Sequence, residues 1–197
     1  MTEASTDRYR REYLGVLAVA VLAAGVTLLG SSQSWLSLHV ARPAPFAPVT
    51  VSITGRSAYP AVFGFAVVAI ITVVLVAVTG GFGRRILGVL LAVNGVSSVF
   101  YGVHGLAAPG PARIHELLGT RGSATFGVTR AQVQAAWPLI TAGAGVLLTV
   151  AAIAIVLRGG RWSGGLSGRY DAPVEAAKSE DPWRTLDRGE DPTIADR

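Results

Sequence analysis

The sequence predicts an all-α membrane protein: a four-transmembrane-helix bundle with a small extracytoplasmic β-hairpin-like element and a disordered C-terminal tail. Three observations predict it. Half of the 197 residues are hydrophobic while only 15% are charged, a balance a soluble domain of this size cannot easily keep in water. Four apolar runs, at residues 14–30, 61–79, 86–108 and 137–157, match the roughly 20 helical residues that cross a hydrocarbon core of about 30 Å. None of these runs contains Asp, Glu, Lys or Arg. With no water inside a bilayer, each backbone amide must be satisfied within its own segment, so the runs are helices and not strands of an open sheet.

Residues 1–12 form a short N-terminal segment, and residues 13–157 the membrane domain. A cleaved signal peptide competes for the first run, because Arg8, Arg10 and Arg11 give a basic start and Gly30-Ser31-Ser32 offers small residues for cleavage. The apolar region of such peptides is usually about 7–15 residues. The run is longer, so it is expected to remain as a span.

The first connecting loop, residues 31–60, alternates apolar and polar residues twice, over Trp35–Val40 and Val49–Thr54. Period 2 with β-branched residues reads as two short strands. Pro43, Pro45 and Pro48 lie between them, so a stiff loop joins them in place of a two-residue turn. A two-stranded ribbon is marginal alone and should rest on the helix ends or on the other long loop. On the opposite side Gly80-Gly81-Phe82-Gly83 predicts a tight turn that makes the second and third spans antiparallel neighbours; it lacks the Gly-Lys-Ser/Thr ending of a phosphate loop. In the second long loop, residues 109–136, Thr129 is an expected N-cap for a helix starting near Arg130 and running into the fourth span, with Pro138 starting or kinking its buried part.

Orientation follows from the basic residues near the helix ends. Arg8, Arg10, Arg11, Arg84, Arg85, Arg158, Arg161 and Arg169 fall on one side, and Arg42, Arg56, Arg113, Arg121 and Arg130 on the other. Eight against five places both termini in the cytoplasm of a bacterial cell, with the chain in its cytoplasmic membrane. Tyr9, Tyr13, Phe82 and Trp162 on the inner side, and Trp35, Tyr59, Phe100 and Trp137 on the outer, stand where aromatic belts belong. Sixteen arginines against the single Lys178, with abundant Ala, Gly and Pro, read as a GC-rich bacterial genome.

The formal charge of +5 points to a membrane surface and not to nucleic acid, because the arginines flank the apolar runs. There is no cysteine, which excludes disulfides, thiolate metal sites and thiol catalysis. His39, His104 and His115 stand at no metal-ligand spacing, and His115-Glu116 reads as a solvated pair. No serine sits in a nucleophile elbow, and the carboxylates of a flexible tail could not be held in register. No enzymatic activity and no cofactor are expected.

Asn94, Ser98 and Tyr101 share one face of the third span, with His104 near its outer end. A polar path or ligand site between helices is one reading. Interhelical hydrogen bonding, at roughly 1 kcal/mol per contact, is the other and the preferred one, since ion and proton pathways need an ionisable group at depth. Gly88, Ala92, Gly95 and Gly102 in the third span and Thr141, Gly145 and Thr149 in the fourth have the small-residue spacing of close helix packing. Packing within one chain is expected, with a homo-oligomer interface as the alternative.

Residues 158–197 form a cytoplasmic tail. Its first part, to Arg169, carries three arginines among glycines and suits an anionic membrane surface. Residues 170–197 carry four basic and eight acidic side chains and should be disordered. Within them Asp181 can cap, Pro182 can start and Gly189 can stop a helix of about two turns. Trp183 and Leu186 would share its face, as in a docking motif for a cytoplasmic protein or the inner membrane surface.

The segment Trp183-Arg184-Thr185-Leu186-Asp187-Arg188-Gly189-Glu190-Asp191-Pro192-Thr193 resembles the closing W-x-x-L-D-x-G-x-D-P-T of the tryptophan-associated transmembrane proteins, small four-span proteins of actinobacteria. Val49–Gly55 followed by Tyr59-Pro60, and the Gly-rich, Arg-ended second turn, extend the likeness over nearly the whole chain. At Arg184 the sequence departs from the family, where an acidic residue is common. The resemblance implies an association with tryptophan biosynthesis genes and no established molecular role. It directs attention to Trp183, Leu186, Asp187 and Asp191 as partner-docking residues. The same association makes an exporter of an aromatic metabolite, or an accessory subunit of an envelope complex, the competing functional readings.

Overall fold

In a computed structural model the chain is described over residues 3–42, 44–119 and 128–159, with residues 3–7 as helix backbone only. Four helices are long and apolar enough to cross a membrane: α1 (Glu3–Ser32), α3 (Pro60–Val78), α4 (Gly81–His104) and α6 (Ala136–Arg158). They form a closed ring in which α1 touches α3 and α6, and α4 touches the same two. Small side chains line its interior, with Ala20, Ala23 and Ala24 of α1 against Ala69 and Val73 of α3 and Ala151 and Ala152 of α6. Large apolar side chains such as Leu22, Ile71, Val74, Val96, Leu147 and Val150 point outward and are exposed. A protein dissolved in water rarely presents such a surface, and lipid as solvent accounts for it.

The closest pair is α4 with α6. Gly88, Gly95 and Gly102 recur at intervals of seven along α4, and a Cβ on Gly95 would meet the backbone of Thr149 and Gly145 at 2.8 and 2.9 Å. Gly145 answers from α6, where a Cβ would meet the carbonyl of Gly95 at 2.8 Å. The small-residue pattern is thus used within the chain. Only glycine allows backbones this close, and the reward is continuous dispersion contact along the seam.

At one end of the ring sits a three-stranded antiparallel sheet, β1 (Ser34–Val40), β2 (Val49–Thr54) and β3 (Val128–Val133), in the order β2-β1-β3. The two strands expected from the alternation are present, and a third comes from the second long loop. This corrects the helix expected to begin near Arg130: Thr129 is a strand residue whose hydroxyl donates to the carbonyl of His39, and α6 starts only at Ala136. Pro138 lies in its first turn and starts the helix. The same loop also holds an unexpected helix, α5 (Pro111–Gly119), which packs Leu117 and Leu118 on Leu36, Leu38, Val40 and Ile53 of the sheet. A one-turn helix, α2 (Gly55–Ala58), links β2 to α3.

The spans also differ from expectation at their ends. α1 continues through the basic N-terminal segment instead of starting at residue 14. The glycine turn shrinks to Thr79-Gly80, because α4 already begins at Gly81, which takes the left-handed φ of +58° that a Cβ would strain. α4 stops at His104, so the apolar stretch 105–108 is outside the helix.

Candidate functional site

The polar face of α4 is less available than its residue types suggest. Asn94 and Ser98 are buried, Tyr101 is half-buried and His104 is exposed. Asn94 Nδ2 donates to the carbonyl of Leu90 at 2.7 Å, Ser98 Oγ to that of Asn94 at 2.9 Å, and the His104 ring lies 2.9 Å from the carbonyl of Phe100. These partners stand four residues back on the same helix. The expected interhelical hydrogen bonds are replaced by local ones, a common solution for short polar side chains in lipid-embedded helices. Asn94 Oδ1 is buried with no partner among the described residues.

Tyr101 turns toward the sheet end and joins an aromatic chain. Its ring lies 5.8 Å from Tyr59 and 6.3 Å from Phe65, and Tyr59 lies 6.1 Å from Trp35. Trp35 corrects its expected place in an interfacial belt, for it is 2% exposed and its Nε1 donates to the carbonyl of Gly30 at 2.8 Å. That carbonyl lies near the end of α1, where helix acceptors lack internal partners. The indole fills a slot between two glycines: a Cβ on Gly55 would stand 2.5 Å from it, and one on Gly105 2.6 Å. One side chain therefore registers the first span, the sheet, α2 and the end of the third span.

Beside Trp35 and Tyr59 a cavity of about 30 Å³ opens between sheet and bundle, closed by Gly105, Arg113 and Leu117. It has room for a water or two. Arg113 bridges the cap, donating to the carbonyl of Ala58 and to Glu116, each at 2.6 Å. A second, mostly apolar groove runs between Val99, Phe100 and Val103 of α4 and Val146 and Val150 of α6, with His104 and Thr149 also in its lining, on the outward face of the ring.

At the other end of the ring Arg84 corrects another expectation. Counted from sequence as a charge at the membrane surface, it is 1% exposed. Its Nε donates to the carbonyl of Thr79 at 3.0 Å and its Nη1 to that of Gly159 at 3.4 Å, while the guanidinium lies 4.9 Å from the centre of the Tyr13 ring. It therefore ties α4 to the end of α6 and to α1. Nearby, Arg158 pairs with Glu12, so the start of α1 and the end of α6 are joined at the same end of the molecule. Among the described residues no cluster of His, Asp or Glu could hold a metal ion. The docking residues expected in the tail, Trp183, Leu186, Asp187 and Asp191, lie outside the described residues, as do Arg161, Trp162 and Arg169.

A family model described as tryptophan-associated transmembrane protein matches residues 17–193 of the chain. No curated protein and no solved structure matches it. The matched region begins inside α1 and runs to the last residue of the closing tail motif.

Proposed function

The chain belongs to the tryptophan-associated transmembrane protein family, and on that premise we propose that it is a non-enzymatic protein of the bacterial cytoplasmic membrane that works by recruiting a cytoplasmic protein through its tail. The observation that carries this reading is that the family match extends to residue 193 and so takes in Trp183, Leu186, Asp187 and Asp191, far beyond the last span at Arg158. A tryptophan and a leucine three residues apart supply the apolar anchors that protein interfaces concentrate their energy in. Both termini lie in the cytoplasm in this reading. The joining of Glu12 to Arg158 at one end of the ring and the arginine count support that orientation.

Purification of the full chain from its native membrane in mild detergent tests the recruitment. A cytosolic protein should accompany it in fixed ratio and be lost from Trp183→Ala, Leu186→Ala; equal recovery by both overturns the reading. The absence of native cysteine makes orientation easy to check. A cysteine at Phe46, 65% exposed beyond β1, should react with an impermeant maleimide in intact cells, and one at Ser179 only after lysis.

The competing reading, an exporter of an aromatic metabolite along the polar face of α4, is weaker. Asn94, Ser98 and His104 direct their hydrogen bonds to their own helix, which leaves little for a passing solute.

A further inference from the structure

The sheet has two chemically opposite faces. Leu36, Leu38 and their partners Ile53, Val51 and Ala131 lie on the face that α5 covers. The pleat places the alternate residues on the other side, where Ser37 stands between Ser52 and Gln132, and His39 between Thr50 and Arg130. The four flanking residues are exposed and the two on the central strand half-buried. His39 Nδ1 is itself buried, with no hydrogen-bond partner among the described residues. Arg42, also exposed, follows two residues after β1, at the end of the sheet nearest the row of His39 and Arg130. Among the described residues no carboxylate is paired with Arg42 or Arg130: Glu116 is the only acidic residue between positions 31 and 136, and it is held by Arg113.

We propose that this face, centred on His39 and Arg130 with Arg42 beside them, binds a phosphate-bearing polymer on its own side of the membrane. Guanidinium groups match phosphate oxygens in geometry and charge, and the surrounding hydroxyls and amide supply neutral hydrogen bonds to the same oxygens. An acidic protein fits less well, because the six side chains include no aromatic or aliphatic anchor of the kind protein interfaces need. The chain's own acidic residues beyond Arg158 follow the far end of α6, a helix of 23 residues and so about 35 Å long, on the opposite side of the membrane in the orientation proposed above. Arg56, four residues before the start of α3, is better placed than Arg42 or Arg130 to meet the headgroups of the surrounding bilayer. Arg42 lies beyond the far end of a seven-residue strand, up to roughly 23 Å of extended chain away from the end of the first span.

Full-length protein in zwitterionic nanodiscs, titrated with fluorescently labelled long-chain inorganic polyphosphate, tests this. Binding should appear above that of empty nanodiscs and weaken with salt. The Arg42→Gln, Arg130→Gln double variant should lose at least tenfold in affinity. Its salt dependence should fall by about two in log–log slope, one per cation, by analogy with nucleic-acid backbones. Both arginines are exposed, so its melting should match the parent, and Arg56→Gln should bind normally. Absence of binding, equal loss on Arg56→Gln, or equally tight binding of polyglutamate would each overturn the assignment.

Discussion

The slot around Trp35 offers the most direct test of how cap and bundle are joined. Trp35→Ala removes a buried indole, which costs about 3–5 kcal/mol in well-packed interiors, and takes from the Gly30 carbonyl the shorter of its two hydrogen bonds, leaving only that from the Gln33 amide, at up to about 1 kcal/mol more. Gly105→Ala acts on the same contact from the other side. Its Cβ would stand 2.6 Å from two carbons of the Trp35 ring, an overlap that should cost about 1–3 kcal/mol. Once the indole is gone the severe overlap is gone with it: the next nearest atom, the Tyr101 carbonyl oxygen, is 3.3 Å away and need give by only a few tenths of an ångström. Gly105→Ala in the Trp35→Ala background should therefore be neutral to within about 0.5 kcal/mol, giving a coupling of at least about 1 kcal/mol. Gly55→Ala should be rescued only in part, because its Cβ also lies 3.0 Å from the backbone oxygen of Ser31. The assay is equilibrium unfolding of the four proteins in mixed detergent–dodecyl sulfate micelles, followed by far-ultraviolet circular dichroism. Additive losses for Trp35→Ala and Gly105→Ala would show that the indole does not occupy this slot, and the account of the junction would fail.

Further expectations follow from the bundle. Arg84→Ala should cost about 2–4 kcal/mol, because it removes charge-assisted hydrogen bonds to two carbonyls, whereas its exposed neighbour Arg85→Ala should stay within about 0.5 kcal/mol; comparable melting of the two in detergent contradicts the buried tie. Gly95→Leu should prevent assembly of a monodisperse protein, as judged by size-exclusion chromatography. Gly143→Ala, with nothing within 4 Å of the added carbon, should stabilise by up to about 1 kcal/mol. Asn94→Leu should be neutral or stabilising, since it removes a buried oxygen without a partner and keeps the branched heavy-atom shape of the side chain. A loss above about 2 kcal/mol in the same unfolding assay would mean that this oxygen is engaged.

The spans were legible because lipid imposes one rule on every residue in them, and a long uncharged run satisfies it in only one way. Their ends were less legible. The rule stops where water begins, so whether α1 continues to Glu3 or α4 stops at His104 depends on local caps and on Trp35 filling the space beside Gly105. β1 and β2 were visible because their alternation is unbroken. β3 was hidden by a bulge: His39 pairs with Arg130 and Val40 with Val128, so Thr129 is skipped. Val128 and Ala131, three apart, then face the same way, which in sequence looks like the period of a helix. α5 did carry signals, with Pro111 at its start, apolar Ile114, Leu117 and Leu118 at helical spacing, and Gly119 at its end. They were masked by the glycine and proline around them. Arg84 shows the limit of counting charges, for position along the chain does not reveal that a guanidinium is enclosed.

The order of strands in the cap also sets a timetable. β1 is the central strand and β2 reaches it within a few residues, but its second neighbour begins 88 positions after Val40, at Val128. At ribosomal speeds of about 5–20 residues per second, that edge waits roughly 4–18 seconds while two further spans enter the membrane. Throughout that interval an open strand edge, a ready template for pairing with another chain, stands beside an unfinished bundle. The lid is sealed only when the start of the last span arrives, so completion of the membrane domain and closure of its cap are a single late event.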